Sequence, residues 1–142
     1  MAEENKKEIS EDQAAEQLKK TAESVDKEKV EEVVAKEDKL KGFFKHVEPL
    51  KKYWDDICEV FALLKDSALC KYTDVPWTTI ASLTAALLYV LNPFDLVWDM
   101  IPLVGYLDDA VVIAVALKFT KDDRARYRAW RETQSKDNAA EA

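Results

Sequence analysis

Glycine and histidine are scarce in this sequence, and their scarcity excludes several kinds of site. The chain has two glycines and one histidine, His46. Phosphate-binding loops and dinucleotide-binding turns need several closely spaced glycines, so neither is expected. A lone histidine also excludes metal centres built from several imidazoles and most cysteine–histidine catalysis. We therefore predict no catalytic residue.

Cysteine is also scarce, and the 21 basic residues are outnumbered by 28 acidic ones. The only cysteines are Cys58 and Cys70, and the polar N-terminus contains no apolar leader segment. These features predict an intracellular, reducing location, either in the cytoplasm or at the cytoplasmic face of a membrane. The formal net charge of -7 disfavours nucleic acid as the main partner.

Alanine, leucine, lysine and glutamate are abundant, whereas turn-forming residues are few. This composition predicts an all-α fold, and 142 residues suit one domain with tails. We place the helical domain at residues 43–133. Residues 1–42 are predicted to be an acidic, charged tail that is either disordered or a marginal solvated helix, and of these we favour disorder. Residues 134–142 are predicted to be a disordered tail.

Two segments have clear helical patterns. Apolar residues recur at steps of three and four between residues 49 and 69, which predicts an amphipathic helix with a solvated charged face. The next helix is predicted at Trp77–Leu91, which has no charged residue and must be buried in protein or in lipid. Eighteen uncharged residues separate Pro76 from Asp95, just short of the roughly 20 that a simple transmembrane helix needs. Length therefore leaves both environments open.

The segment after Leu91 contains several chain-breaking residues. Asn92 and Pro93 end the preceding helix, and the same pair can begin another one. Pro102 and Gly105 break the chain again. We therefore predict a turn rich in proline, aspartate and glycine between two apolar helices.

Four aspartates are the only acidic residues between positions 77 and 119: Asp95, Asp99, Asp108 and Asp109. In one interpretation they are structural, because a carboxylate near a helix start accepts hydrogen bonds from free backbone N–H groups. In the other they form a cation site, since clustered carboxylates without imidazole or thiolate suit Mg²⁺ or Ca²⁺. Two close carboxylates can also support acid–base chemistry, which adds hydrolysis to the alternatives for this site.

The last predicted helix, at residues 110–133, has two halves. It is apolar up to Phe119, and after Thr120 it is strongly charged. Six bases face two acids between residues 118 and 131, a local net charge of +4. The bases are Lys118, Lys121, Arg124, Arg126, Arg128 and Arg131. Such a segment is attracted to an anionic cytoplasmic membrane face, although a solvated helix end has the same composition.

The run NPFDLVWDMIPLVGYLDDAVVI, preceded by TAALLYVL, resembles the signature of the YkvA-like family, the domain of unknown function numbered 1232. The positions that carry the resemblance are Tyr89, Pro93, Asp95, Asp99, Ile101, Pro102, Gly105, Asp108 and Asp109. Trp98 stands where the family usually has proline, which predicts a more continuous helix from Pro93 to Asp99. The resemblance implies a small, largely helical, bacterial protein that is often membrane-associated and has no established activity.

Two functional hypotheses follow. The first is a non-enzymatic helical bundle that associates with a membrane, or with a protein partner, through its central apolar hairpin and basic C-terminal helix. Full spanning is disfavoured, because each aspartate at the bilayer centre would cost roughly 2.5–3.5 kcal/mol. The second is a soluble helical domain that binds Mg²⁺ or Ca²⁺ through the four aspartates. The sequence leaves a homo-oligomer open.

Overall fold

The computed structural model describes residues 2–91 and 109–141, and side chains are described for residues 12–48, 50–91 and 110–136. The described parts of the chain are helical and contain no strand, which confirms the all-α prediction. A 3-10 helix, Glu48–Tyr53, lies between the third and fourth α-helices. Within the described residues there are seven α-helices: α1 Ala2–Glu23, α2 Lys27–Ala35, α3 Glu37–His46, α4 Trp54–Ala68, α5 Trp77–Leu91, α6 Asp109–Phe119 and α7 Lys121–Glu141.

Helix α5 forms the centre of the bundle. It begins and ends at the predicted residues, and twelve of its fifteen residues are buried. Helices α1, α2, α3 and α6 pack around it. The helix without a charged face is therefore surrounded by protein, one of the two environments that its sequence allows. Helix α6, the other apolar helix, packs against α5 as predicted, whereas the turn predicted between them lies outside the described residues.

Helix α4 has the predicted amphipathic pattern. Its buried side chains share one face and are Ile57, Val60, Phe61, Leu63 and Leu64. The predicted helix began at residue 49, but residues 48–53 instead form the 3-10 helix, in which the amide of Leu50 donates to the carbonyl of Val47 at 2.9 Å. Such short, tighter turns are common where an α-helix begins.

The N-terminal segment differs from the prediction. Instead of a disordered tail or a solvated helix, residues 12–42 contribute to the same core as the rest of the bundle. Their buried apolar side chains are Ala14, Leu18, Val25, Val30, Val33 and Leu40. The preference for disorder was wrong because α5 is apolar on every side and needs a cover. A few apolar residues at helical spacing are enough to provide it.

The C-terminal segment also differs from the prediction. Residues 134–142 were expected to be disordered, but α7 continues as one helix to Glu141. Residues 131–136 are exposed along this extension. No glycine or proline follows Gly105, so no residue in the segment forces the helix to stop.

Helix α4 ends in a Schellman motif in which a cysteine occupies the position usually held by glycine. Cys70 has φ 59°, in the left-handed region. The amide of Lys71 donates to the Asp66 carbonyl at 2.8 Å, and that of Cys70 donates to the Ser67 carbonyl at 3.1 Å. These bonds satisfy the last carbonyls of the helix, but a residue with a Cβ atom is strained in this conformation.

We expect Cys70→Gly to raise the free energy of unfolding by about 0.5–1 kcal/mol, because relief of the left-handed strain exceeds the entropic cost of glycine. Cys70→Val should lower it, since a β-branched side chain tolerates positive φ poorly. Urea unfolding followed by circular dichroism measures both changes. The Cys70 side chain is exposed, so little packing is lost. A loss of stability in the glycine variant would contradict this account.

Candidate functional site

The basic segment at the start of α7 is the first candidate site, and Arg124 lies at its centre. The Arg124 side chain is buried, with the residue only 6% exposed. Its guanidinium donates to Glu59 Oε1 at 3.1 Å and Asp56 Oδ1 at 3.4 Å on α4. It also donates to the Leu117 carbonyl at 2.9 Å and to Thr120 Oγ1 at 3.2 Å. Arg124 therefore joins α7 both to α4 and to the last turn of α6.

The prediction that Arg124 contacts a membrane or a partner is wrong for this fold. Its charge is used within the protein, because it pairs with two carboxylates and donates to a helix-terminal carbonyl. The sequence does contain a signal for this pairing of Arg124 within the protein. Asp56 and Glu59 lie on the α4 face that was interpreted as solvated, and their charge is opposite to that of α7.

Two further arginines of α7 have intramolecular partners but remain exposed. Arg128 donates to both carboxylate oxygens of Glu59, at 2.7 and 3.1 Å. Arg126 pairs with Asp123, which also accepts a hydrogen bond from the hydroxyl of Thr79. Because these pairs neutralise part of the +4 segment, its net charge overstates the free positive charge at this surface.

Aromatic packing holds the middle of α7 in place. Tyr127 is fully buried, and its hydroxyl donates to Asp66 Oδ2 at 2.6 Å. The rings of Tyr72 and Trp130 lie 5.1 and 5.9 Å from that of Tyr127. Burial, together with the hydrogen bond to Asp66, raises the pKa of Tyr127 well above its ordinary value. The hydroxyl therefore stays protonated and keeps donating to α4.

The remaining predicted bases, Lys118, Lys121 and Arg131, are exposed. Lys118 and Lys121 make no ion pair within the part of the chain that the structure describes. Arg131 lies over the ring of Tyr127, with 5.7 Å between its Cζ and the ring centroid. The two lysines therefore keep their charge available to an external partner.

Large aromatic side chains are exposed close to these lysines in the fold. Trp77, the first residue of α5, is 51% exposed, and Phe119, the last residue of α6, is 63% exposed. The Thr79–Asp123 hydrogen bond ties the first turn of α5 to the first turn of α7, which directly follows α6. Trp77, Lys118, Phe119 and Lys121 therefore share one end of the bundle, which we call the aromatic–lysine end.

The predicted cation site cannot be placed in this fold. Asp95, Asp99 and Asp108 lie outside the described residues, as do Asn92, Pro93, Trp98, Pro102 and Gly105. Asp109 is the first residue of α6, and Tyr89 is buried near the end of α5. Within residues 2–91 and 109–141, no three acidic, histidine or cysteine side chains are grouped to hold a metal ion. The cation site stays a prediction.

We expect Arg124→Met to lower the free energy of unfolding by about 3 kcal/mol, because it removes the buried charged donor that Asp56, Glu59 and the Leu117 carbonyl share. Arg128→Met should cost less than about 1 kcal/mol, since that pair is exposed to solvent. Urea unfolding of both variants measures the difference. Equal losses of stability in the two variants would contradict the assignment of Arg124 as the residue that links α7 to α4 and α6.

Comparison with known proteins adds a family and a relative. The model of a family described as a protein of unknown function, DUF1232, matches residues 79–115. The chain is 33% identical over 81 residues to the uncharacterized membrane protein YkvA of Bacillus subtilis (strain 168). This alignment covers 57% of the chain and 76% of the relative. The search of solved structures gave no significant match. None of the described helices is both long and apolar enough to cross a membrane.

Proposed function

The chain belongs to the DUF1232 family of proteins of unknown function, as its motif predicts, and we propose that it is a non-enzymatic helical module that binds the surface of an anionic membrane. The aromatic–lysine end is the observation that carries this proposal. The Bacillus subtilis relative is called a membrane protein, which also supports this proposal.

The chemistry of the aromatic–lysine end suits the boundary between lipid headgroups and acyl chains. Trp77 and Phe119 present apolar rings to water, and burying such a side chain is favourable by roughly 1.5–3 kcal/mol. Tryptophan is typical of this boundary because its ring is apolar while its N–H remains polar. Lys118 and Lys121 extend charged groups on flexible stems, which reach anionic headgroups while the aromatic rings insert.

Of the six bases predicted to contact a membrane, the proposal keeps those that are exposed and have no carboxylate partner within the described residues. Arg124 is excluded by its burial, and Arg126 and Arg128 already have carboxylate partners. A variant in which these three arginines are replaced together would therefore mainly disturb the packing of α7 on α4. Lys118 and Lys121 are the informative positions, because their replacement breaks no described ion pair.

The test is flotation of the purified protein with vesicles of equal parts phosphatidylcholine and phosphatidylglycerol, compared with phosphatidylcholine alone. We expect binding to the anionic vesicles. Lys118→Gln with Lys121→Gln should weaken it roughly 10–30-fold, because each lysine near an anionic surface contributes about 1 kcal/mol. Phe119→Ser should weaken binding to both kinds of vesicle by removing the apolar contact.

The matched control is Lys39→Gln with Lys45→Gln, which removes the same charge from exposed positions on α3. If the control weakens binding as much as the Lys118/Lys121 variant, net charge rather than the aromatic–lysine end is responsible. A wild-type protein that is folded and binds neither kind of vesicle would overturn the proposal.

A divalent-cation site at the four aspartates is a second candidate, because they are the only acidic residues within the stretch matched by the family. Carboxylates suit Mg²⁺ or Ca²⁺. We expect calorimetric titration to detect binding at millimolar ion or below, and Asp99→Asn with Asp108→Asn to abolish it. Asp55→Asn with Asp122→Asn, which removes the same charge elsewhere, serves as the control. The absence of binding by the wild-type protein would remove this candidate.

A further inference from the structure

Helix α1 covers the apolar pair α5 and α6, and the described side chains of its second half include few large apolar ones. It packs along both helices. Its buried residues between positions 12 and 23 are Ala14, Leu18 and Thr21, so leucine is the only large apolar anchor in this part of α1. Helix α4, by comparison, buries five large apolar side chains. Because burial free energy scales with apolar area, residues 12–23 of α1 are held less firmly than α4.

The surface beneath α1 carries no charge. Helix α5 has no charged residue, and α6 has none between Ala110 and Leu117. Ala85, Tyr89 and Val112 face α1 across a narrow gap that also borders Leu18. Removing α1 would therefore uncover a continuous apolar face along two packed helices. An exposed apolar face of this kind binds other apolar surfaces.

The connection between α1 and α2 permits the two helices to move separately. Helix α1 ends at Glu23, and α2 begins at Lys27. The amide of Lys29 donates to Asp26 Oδ1 at 3.0 Å, so Asp26 caps α2 without any contribution from α1. Helix α2 also buries Val30 and Val33 on its own account. Helix α1 can therefore leave its position while the first turn of α2 stays intact.

The net charge of α1 is opposite to that of the free lysines next to the surface that it covers. Residues 2–23 contain seven acids and four bases, which gives α1 a net charge of -3. The free lysines Lys118 and Lys121 lie at the end of α6 and the start of α7. An anionic surface attracts the lysines and repels α1. The family match begins at residue 79, so it includes the covered helices and leaves out the cover.

We propose that α1 is a displaceable cover, and that an anionic lipid surface displaces it and takes its place on the apolar face of α5 and α6. This inference rests on the proposed membrane function. In the closed form the bundle hides the face behind α1. In the open form α1 swings away about residues 24–26, and the uncovered face enters the interfacial layer next to the aromatic–lysine end.

Weakening α1 should increase membrane binding. Leu18→Gln removes the large apolar anchor without changing the charge. We expect it to raise affinity for the equal-part phosphatidylcholine–phosphatidylglycerol vesicles by the factor by which the open fraction rises, roughly ten-fold. The control Glu16→Gln with Lys20→Gln alters two exposed α1 positions and keeps the net charge. The control should bind as the wild type does.

Locking α1 should have the opposite effect. Gln17 and Ala85 line the same gap, so a Gln17→Cys, Ala85→Cys pair can be oxidised across it, with Cys58→Ser and Cys70→Gly to remove the native thiols. The oxidised protein should lose most of the binding measured after reduction with dithiothreitol. Hydrogen exchange on vesicles supplies a separate readout, in which α1 should lose protection while α2 keeps it.

The two proposals fail in different ways. If the wild type, the Leu18 variant and the reduced protein all fail to bind vesicles, the membrane function is overturned and the cover with it. If the wild type binds but the oxidised protein binds equally well and α1 keeps its protection, only the cover is overturned. Binding by the Leu18 variant alone would overturn both proposals, because α1 of the wild-type protein would then stay in place at an anionic surface.

Discussion

The structure depends on the burial of a helix that has no polar side. Trp77–Leu91 carries no charged residue, so water cannot solvate any of its faces, and most of the other helices are arranged to cover it. Its leucines alone contribute on the order of 10 kcal/mol when buried, at roughly 1.5–3 kcal/mol each. The small residues between them, such as Ala81, Ala85 and Ala86, let neighbouring helices approach closely. The bundle follows from this requirement.

A second interaction fixes the position of the C-terminal helix. Only two residues of α7 between positions 121 and 131 are buried, Arg124 and Tyr127, and both bind carboxylates of α4. A buried guanidinium is stable only when its donors are paired, and Arg124 has four acceptors, which lie on α4, on α6 and at Thr120 between α6 and α7. This arrangement orients α7, and it leaves Lys118 and Lys121 as the free cations near Phe119 within the described residues.

Sequence-based predictions succeeded where the residues that determine a feature are close together in the chain. The bounds of α5 were predictable because Pro76 and Pro93 flank a charge-free run. The single helix predicted at residues 110–133 is instead two helices that meet at Thr120, where the composition changes. The Arg124–Glu59 pair joins positions 65 residues apart, which no periodicity reveals. The sequence identified the free lysines only as members of the basic segment, because the ion pairs of the folded protein determine which positive charges remain available to a partner. The aspartate motif identified the family without placing its carboxylates.

The error at the N-terminus has a physical explanation that bears on function. Apolar residues in α1 are few and small, so local burial free energy falls short of the entropy lost on ordering, which is the pattern of a disordered segment. Helix α1 nevertheless packs on α5 and α6, because these two helices provide a preformed apolar face. Covering that face removes more apolar area from water than the apolar side chains of α1 alone would. The same sparse pattern that made α1 hard to predict also makes it weakly held. A helix that folds only because another surface needs cover is the one that a competing apolar surface, such as a membrane, removes most easily.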